Sequence, residues 1–512
     1  MRSFNQAIEA AETYSPAEEQ FNRRRRTAGL FLAPAVMALL WAAPLPVPEA
    51  AHRMAAILGL VVVLWVSEAL PMAVTALLGP VLAVVLRVAD ARAALAPFAD
   101  PIIFLFIGSF ILAEAMFVHG VDRRIAYTAL SWRFVGQSAP RILLVYSAVA
   151  TGLSMWISNT ATTAMMFPIG LALVSHLMQS GPKDEASRAA VRKFAMGLML
   201  MTSFGASIGG MATPVGTPPN LIGMGMLERI TGTRVSFFSW MAIGVPLVIV
   251  LYATMTTLFT VTTTRGVRMV EGGADLVRTE LKKLGRMSTA ERNVLIAFGL
   301  TVLFWTLPGF LAIGGLDGSA FATSYEKSMP EGVAAMVGAL LLFVMPIDWR
   351  SRRFTLTWDQ AVGIDWGIVL LYGGGLALGA LAFQTGLAEA MGRGITAWLP
   401  SKTTLALTVI FTGAAIVLSE ATSNTASANM IVPVAIAVAQ AAGVRPIEPA
   451  LGATLGASMG FMMPISTAPN AIVYSSGFIP ITAMMRYGIV LDVVAFVAIV
   501  TVVMLLGPVL IP

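Results

Sequence analysis

The sequence predicts an all-α protein that crosses a membrane many times, and its composition and segment lengths are the observations behind that prediction. Of the 512 residues, 57% are hydrophobic and 12% are charged, whereas about a quarter of the residues in a soluble domain are charged. Apolar segments with few charges recur along the chain, each of roughly the 20 residues that a helix needs to cross a bilayer. We therefore expect a multi-pass protein of the cell (inner) membrane, in contact with the lipid bilayer.

About eleven transmembrane helices are predicted, beginning after a polar cytoplasmic tail at residues 1–27. A signal peptide has a short basic start, whereas this tail contains four glutamates before Arg23–Arg26, so it is expected to be retained. The first transmembrane helix is assigned to 28–53. The apolar spans lie near residues 29–46, 54–70, 72–88, 101–119, 194–226, 238–262, 293–313, 332–347, 366–384, 450–478 and 487–511.

The distribution of basic residues predicts the orientation. With a cytoplasmic N-terminus, 24 of the 33 lysines and arginines fall on the cytoplasmic side of this layout, as the positive-inside rule requires. The C-terminus is then outside. The same bias accounts for the net charge of +6, so no nucleic-acid partner is expected.

Three blocks of sequence occur twice in the same order, which predicts an internal repeat. The matching pairs are 102–120 with 368–386, Ser158-Asn159-Thr160 with Ser423-Asn424-Thr425, and 205–220 with 456–470. The first unit then covers 54–264, a cytoplasmic linker covers 265–292, and the second unit covers 293–512.

Two further apolar blocks, 141–178 and 403–440, are split at their centres by the Ser-Asn-Thr triplets, so each is predicted to form a re-entrant hairpin. An odd number of crossings separates equivalent points of the two units, which turns the second unit upside down. The two hairpins therefore enter from opposite sides, with their tips near the midplane. Inverted repeats with interrupted helices around a central site are typical of secondary transporters.

A channel and an intramembrane enzyme are the two alternative classes of function. A channel could use broken helices as a filter, but paired breaks in two opposed units favour alternating access. An intramembrane enzyme needs a nucleophile with a base, or a metal cluster, and the breaks contain neither. With no cysteine and three scattered histidines, a thiolate or zinc site is not expected either. The protein is therefore not expected to be an enzyme.

Each triplet precedes a helical run, in the position of a helix N-cap. A helix N-terminus carries unpaired N–H groups and about half a positive charge, so two such ends facing each other form a site for a small anion. The alternative is that both triplets are ordinary caps or polar contacts between helices. Their matched occurrence in both units favours a binding site.

A second pair of helix breaks is predicted at TPVGTPPN (213–220) and PISTAPN (464–470). Proline removes a backbone donor and obstructs the preceding turn, so each stretch should unwind and expose carbonyl oxygens. These oxygens suit sodium, and a plain kink without a ligand is the alternative. None of the four motifs contains Lys or Arg, so helix ends and co-bound cations would have to compensate an anionic substrate.

Three glutamates fall within the predicted apolar segments, where ionisable residues are costly. Glu420 precedes the second triplet, and its counterpart in the first unit is Met155. The alternatives for Glu420 are a proton carrier, a substrate contact and a structural hydrogen-bonding group, of which the last is favoured. Glu68 and Glu114 are expected to pair with helix termini.

The triplets, in the settings SMWISNTAT and SEATSNTAS and followed by GTPPN and STAPN, resemble the divalent anion/sodium symporter family of dicarboxylate, citrate and sulfate carriers. The resemblance covers the chain from about residue 30 to its end. It implies a homodimer working by an elevator movement, and symport of a dianionic C4-dicarboxylate (succinate, malate or fumarate type) into the cell with two or more sodium ions. A sodium-independent exchanger, or a citrate or sulfate carrier, is the alternative.

The resemblance also implies which residues hold the ions and the substrate. The implied sodium ligands are Ser154, Ser158, Asn159 and Gly216 at one site and Ser419, Asn424 and Ser466 at the other. The implied substrate contacts are Ser158, Asn159, Thr160 and Thr217 on one side and Ser423, Asn424, Thr425, Thr467 and Ala468 on the other. Ala468 stands where many dicarboxylate members have the first of two prolines, so this departure bears on the identity of the substrate.

Overall fold

The structure, a computed structural model, describes residues 16–180, 184–267 and 272–511. These residues are mainly helical. The N-terminal elements are α1 (Pro16–Ala42), α2 (Glu49–Ser67), α3 (Met72–Val85), α4 (Ala91–Leu95), a 3-10 turn (Ala96–Ala99) and α5 (Pro101–His119). Next come α6 (Val121–Leu130), α7 (Ala139–Ser154), α8 (Asn159–Ser180), α9 (Glu185–Gly210), α10 (Pro218–Thr231) and α11 (Phe237–Thr263).

The second half of the chain begins with a short helix in the predicted linker and ends with a long apolar one. Its first elements are α12 (Gly273–Lys283), α13 (Thr289–Ile313), α14 (Ala320–Ser328), α15 (Glu331–Val344), β1 (Pro346–Asp348), β2 (Arg353–Phe354) and α16 (Trp358–Ala361). Its last elements are α17 (Trp366–Gln384), α18 (Leu387–Trp398), α19 (Thr404–Ala421), α20 (Asn424–Ala441), α21 (Ile447–Gly456), α22 (Ala468–Tyr474) and α23 (Ile481–Leu510).

Two predicted boundaries near the N-terminus differ from the structure. Helix α1 begins at Pro16, inside the predicted polar tail, so Arg23–Arg26 continue directly into the apolar residues of the same helix. Residues 1–15 of that tail lie outside the described ranges. Helix α2 begins at Glu49, so the predicted boundary at residue 53 falls inside it. The first turns of a helix can consist of polar residues, so an apolar pattern alone does not locate the first residue of the helix.

Among the described residues, eight helices are long and apolar enough to cross a membrane, or nine if α14 and α15, bent by 66°, form one span. The prediction of about eleven crossings is therefore not confirmed by length and composition. Helix α3 has 14 residues, and the predicted spans 194–226 and 450–478 are each interrupted. The interruptions, at 211–217 and 457–467, overlap the predicted breaks at 213–220 and 464–470, but each begins earlier, and the helix resumes within the motif.

The prediction of an all-helical chain misses one small element. Strand β1 pairs with β2 in an antiparallel ribbon, Pro346 opposite Phe354. The turn between them includes Arg352 with a φ of 50°, a left-handed conformation that is uncommon for a residue with a side chain. Five residues in two short strands leave too little alternation of polar and apolar residues for the sequence to reveal them.

Two amphipathic helices, α6 and α18, precede the two triplet-containing blocks. Each begins after a glycine in the left-handed region, Gly120 with a φ of 69° and Gly386 with a φ of 80°, where a side chain would be strained. Helix α6 packs on α7 and helix α18 packs on α20. Each amphipathic helix therefore supports one of the broken blocks.

The helices that carry the motifs pack on one another both within and between the two predicted units. Helix α7 packs on α9 and α19 packs on α21, while α8 packs on α22 and α10 packs on α20. Phe204 of α9 meets Phe461 edge to face, with ring centroids 5.1 Å apart. By contrast, α23 exposes Val497, Leu505 and Val509 along one face, as expected for a helix in contact with lipid. The broken segments thus lie in the interior of the bundle.

Candidate functional site

The first triplet lies where α7 ends and α8 begins. The hydroxyl of Ser154 donates a hydrogen bond to Asn159 Oδ1 over 2.8 Å, which joins the last residue of α7 to the first of α8. Ser158 Oγ accepts from the backbone N–H of Ala161 at 3.2 Å, the N-cap geometry that the sequence predicts. Ser154 is fully buried, whereas Ser158, Asn159 and Thr160 are half-buried.

The break between α9 and α10 is fixed by the last residue of its motif. Asn220 Nδ2 donates to Gly210 O at 2.9 Å and to Thr213 O at 2.8 Å. The Thr213 hydroxyl donates to the carbonyl oxygen of Met155. The unwound loop is therefore held against the tip of the first block by hydrogen bonds to backbone carbonyls.

Backbone and side-chain oxygens converge around Gly216 in this loop. A methyl group at Gly216 would lie 2.5 Å from Gly210 O and 2.8 Å from Ser154 O, and one at Gly210 would lie 2.3 Å from Asn159 Oδ1. At Gly216 the added carbon would meet backbone atoms, so only glycine fits there, whereas at Gly210 it would displace the Asn159 side chain. The carbonyl and carboxamide oxygens around Gly216 are ligands of the type that hard cations prefer.

The second triplet repeats the first arrangement with additional contacts. The Ser419 hydroxyl lies 2.7 Å from Asn424 Oδ1 and 2.8 Å from Ala457 O. Asn424 Nδ2 donates to Ser458 O at 3.4 Å, and Ser423 Oγ accepts from the N–H of Ala426 at 3.3 Å. Ser419 is fully buried, and Ser423, Asn424 and Thr425 are half-buried.

The break between α21 and α22 is held by an asparagine as well. Asn470 Nδ2 donates to Gly460 O at 2.9 Å and to Met463 O at 3.0 Å. Its backbone N–H donates to Thr467 Oγ1 at 3.2 Å. Thr467 and Ala468 are half-buried, whereas Thr217, the counterpart of Thr467, is 3% exposed and makes no side-chain capping bond.

Glu420 has the structural hydrogen-bonding role that the sequence predicts for it. Its Oε1 accepts from the N–H groups of Phe461 and Met462 at 2.6 and 2.8 Å. Its Oε2 accepts from the Ser466 hydroxyl at 2.8 Å, and its backbone carbonyl accepts from the same hydroxyl at 3.0 Å. The carboxylate therefore orders the loop that contains Ser466.

The other two glutamates do not contact these motifs. Glu68 caps the end of α2 in a left-handed conformation and forms an ion pair with Arg25, 2.6 Å away. The prediction that Glu68 pairs with a helix terminus is thus wrong, because its carboxylate pairs with the arginines of α1 instead. The carboxylate of Glu114 faces Gly363, just beyond α16.

The ligands predicted for each cation site lie together within one predicted unit. The two predicted units are connected through residues outside these ligand sets. The Ser203 hydroxyl of α9 donates to Asn470 Oδ1, which links the second break to the first unit. Among the described residues, no hydrogen bond joins one triplet directly to the other. Each triplet is instead followed by a helix, α8 or α20, that packs on the broken element of the other unit.

Sequence reasoning missed the two asparagines that fix the loops, although a signal was present. Asn220 and Asn470 end both proline-rich motifs, in PPN and APN. A polar residue repeated at the same place in both motifs, next to a helix break, indicates a side chain that satisfies the freed carbonyls.

Comparison with known proteins supports the resemblance to the divalent anion/sodium symporter family. The family described as "Sodium:sulfate symporter transmembrane region" matches residues 24–512. The sodium-dependent dicarboxylate transporter SdcS of Staphylococcus saprophyticus is 34% identical over 447 residues, covering 87% of this chain and 84% of that protein. SdcS of Staphylococcus aureus is 33% identical over 488 residues, covering 94% and 91%.

Two solved structures share the fold. The YdaH transporter of Alcanivorax borkumensis superposes with a TM-score of 0.54 at 14% identity, covering 83% of this chain and 90% of that one. MtrF of Neisseria gonorrhoeae superposes with a TM-score of 0.50 at 12% identity, covering 83% of each. At this identity the likeness concerns the fold alone. From its match over nearly the whole length, the chain belongs to the sodium:sulfate symporter family, whose members are membrane transporters and not enzymes.

Proposed function

We propose that the protein is a sodium-coupled symporter that carries a C4-dicarboxylate into the cell. The observation that carries the proposal is the pair of Ser-Asn bridges at helix breaks, Ser154–Asn159 and Ser419–Asn424. They lie in a chain about one third identical to sodium-dependent dicarboxylate transporters. One oxygen-rich break in each unit supports one cation site in each unit.

The substrate is a dianion held by helix N-termini and neutral side chains. Asn159 and Thr160 begin α8, and Asn424 and Thr425 begin α20; all four are half-buried and able to reach a ligand. Ser158, Ser423, Thr217, Thr467 and Ala468 complete the proposed substrate contacts. Since the motifs contain no Lys or Arg, the helix ends alone do not compensate two carboxylates.

Sodium supplies the remaining positive charge and travels as a co-substrate. The first ion binds Ser154, Ser158, Asn159 and Gly216, and the second binds Ser419, Asn424 and Ser466. With two sodium ions and a dianion the cycle is electroneutral. A third ion would move one net charge, worth about 2.3 kcal/mol per 100 mV of membrane potential.

Transport occurs in a homodimer by an elevator movement of the domain that bears both hairpins. The two units have inverted topology, with the N-terminus inside and the C-terminus outside. Because the chain contains no cysteine, single cysteines report this orientation directly. Lys402→Cys should react with an impermeant thiol reagent from outside, and Lys282→Cys only after permeabilisation. The opposite labelling pattern would contradict the inverted layout.

A cross-link tests the movement. Leu58 of α2 and Met430 of α20 line the same small cavity, so a reducible bifunctional thiol reagent that spans the cavity can join a Leu58→Cys/Met430→Cys pair and link the second hairpin to the N-terminal helices. Cross-linking should stop uptake, and reductive cleavage of the reagent should restore it. Full uptake after complete cross-linking would contradict a large displacement of the hairpin-bearing domain.

Uptake of labelled succinate into proteoliposomes tests the function. An inward sodium gradient should drive accumulation, and replacing sodium by potassium should abolish it. Unlabelled malate and fumarate should compete, whereas stronger competition by citrate or sulfate would identify a related carrier for those anions. Accumulation that ignores sodium but requires a dicarboxylate inside the vesicle would establish an exchanger and contradict the symport proposal.

A further inference from the structure

An open groove lies between the amphipathic helix α6 and the start of α13. Its volume is about 360 Å³, within the range of about 300–1,000 Å³ that is usual for small-molecule sites. Its walls include Ile125 and Thr128 of α6, Trp132 just after that helix, and Met287 and Leu295 near the start of α13. None of the residues that line it belongs to either triplet-containing block, so the groove is separate from the proposed transport site.

The two charged residues that line the groove neutralise each other. Arg124 Nε donates to Glu291 Oε1 at 2.7 Å, and Arg124 Nη2 donates to Glu291 Oε2 at 3.1 Å. Arg124 Nη1 also donates to Gly285 O at 3.0 Å. Glu291 is 5% exposed and accepts a further hydrogen bond from the N–H of Ser288 at 2.6 Å. The interior of the groove therefore suits an apolar chain, which makes no demand on a polar partner.

The groove opens onto a surface that faces lipid. Trp132 at its edge is exposed, and tryptophan is enriched where a protein meets the surface of a bilayer. Beyond Leu295, α13 exposes Ile296, Leu300 and Leu303, which share one face because residues three and four apart are neighbours on a helix. Helix α13 is long and apolar enough to cross a membrane. The groove is therefore continuous with a face that acyl chains contact.

Three exposed arginines adjoin the groove: Arg133, Arg286 and Arg292. Arg133 and Arg292 each directly follow a lining residue, and the backbone carbonyl of Arg286 lies 3.5 Å from Arg124 Nη2. Among the described residues, no carboxylate forms an ion pair with any of the three. The surroundings of the groove thus carry net positive charge, which complements the phosphate of an anionic lipid.

We propose that this groove binds one anionic phospholipid, with an acyl chain between α6 and α13 and the phosphate at Arg133 and Arg286. A zwitterionic lipid fills the groove equally well but brings no net negative charge to the arginines, so charge determines the selectivity. Helix α6 packs on α7 of the first hairpin, so the lipid would lie against the helix that supports this hairpin. The inference goes beyond the proposed transport function and does not depend on it.

Lipid binding to the purified full-length protein tests the proposal. Native mass spectrometry in detergent counts the phospholipids bound to each chain during titration with phosphatidylglycerol, or with phosphatidylcholine that has the same acyl chains. One phosphatidylglycerol per chain should bind at least about fivefold more tightly than phosphatidylcholine, because basic residues at the membrane surface attract anionic headgroups. Glycerol 3-phosphate, which has the charge but no acyl chain, should not displace the bound lipid.

Three variants locate the bound lipid, and all the residues they change are exposed. Arg133→Gln/Arg286→Gln removes two cations and should reduce the preference for phosphatidylglycerol to less than about twofold. Thr128→Phe fills the groove and should weaken the binding of both lipids at least about fivefold. The matched control is Arg192→Gln/Lys193→Gln near the start of α9, which removes the same charge on the same predicted side of the membrane and should bind both lipids like the unmodified protein.

The remaining outcomes would overturn the proposal. Equal binding of both lipids to the unmodified protein would show that the arginines select no headgroup, and unchanged binding in Thr128→Phe would place the lipid elsewhere. A loss shared by the α9 control would show a response to total charge. Displacement by glycerol 3-phosphate would show that no acyl chain is held. A change in the number of chains per particle in Thr128→Phe would identify the groove as an interface between copies of this chain.

Discussion

The two broken hairpins share one local design but are held in place by different interactions. In both, a serine at the end of one helix bridges to an asparagine at the start of the next, over 2.8 Å in the first and 2.7 Å in the second. The first is closed by tight backbone packing at Gly210 and Gly216. The second is closed by hydrogen bonds to Glu420.

This difference teaches that the same oxygen-rich break can be supported in two ways. A site fixed by close backbone contacts tolerates no added atom, whereas a site fixed by side-chain hydrogen bonds depends on the donors and acceptors being present. The first site should therefore be the more sensitive to added volume, and the second to the loss of polar groups.

The largest effect is expected where the two hairpins are alike. Replacing Asn159 or Asn424 by Ala removes a proposed cation ligand and the bridge to the serine, and each change should lower initial succinate uptake by about 100-fold, since a lost buried partner costs about 1–3 kcal/mol. Asn293→Ala is the matched control, because Asn293 is buried and hydrogen-bonded to Pro346 O and Thr355 Oγ1 away from the hairpins. Near-normal uptake by both hairpin variants would refute the site assignment.

Adding a methyl group should separate the two sites. In Gly216→Ala the new carbon would lie 2.5 Å from Gly210 O, whereas in Gly460→Ala it would lie 3.1 Å from Asn424 Oδ1. We expect no measurable uptake from the first variant and a reduced rate from the second. Gly152→Ala in α7 has open space around the new carbon and should transport normally. Equal activity of the Gly216 and Gly460 variants would contradict the proposed difference in packing.

Removing a hydroxyl should have the opposite order of effects. The Ser419 hydroxyl lies within hydrogen-bonding distance of both Asn424 and Ala457, whereas among the described residues the Ser154 hydroxyl bonds to Asn159. At about 1 kcal/mol per hydrogen bond, which is about fivefold, Ser154→Ala should raise the half-saturating sodium concentration about fivefold, and Ser419→Ala, which leaves two acceptors without their donor, should raise it further. A sodium titration of succinate uptake measures both. A larger shift for Ser154→Ala would reverse the comparison.

The smallest effect is expected at Ala468, the first residue of α22. Proline is favoured at the first position of a helix, and Thr467 before it already has an extended backbone, with a φ of −145° and a ψ of 148°. Ala468→Pro, which copies Pro218 of the first unit, should fold and transport with only a few-fold change in the relative rates for succinate, malate and citrate. Competition assays measure those rates, and a loss of transport would show that the alanine is required.

The sequence predicts local features of the hairpins well and long-range ones poorly. Helix caps at Ser158 and Ser423, and unwinding before Pro218 and Pro469, depend on residues a few positions apart. The support of Ser466 by Glu420 joins residues 46 positions apart, which no local pattern reveals. The start of α1 at Pro16 was missed because a polar helix extension resembles a polar tail.

The ratio of sodium to succinate taken up together tests the central claim most directly. Labelled sodium and labelled succinate are added to the medium outside the proteoliposomes, and the amounts of both taken up are measured. Two cation sites around one anion site predict at least two sodium ions per succinate. Asn424→Ala should abolish the coupled uptake of both. A ratio of one would leave a single coupled site, and succinate uptake without any sodium uptake would contradict the two-site symporter altogether.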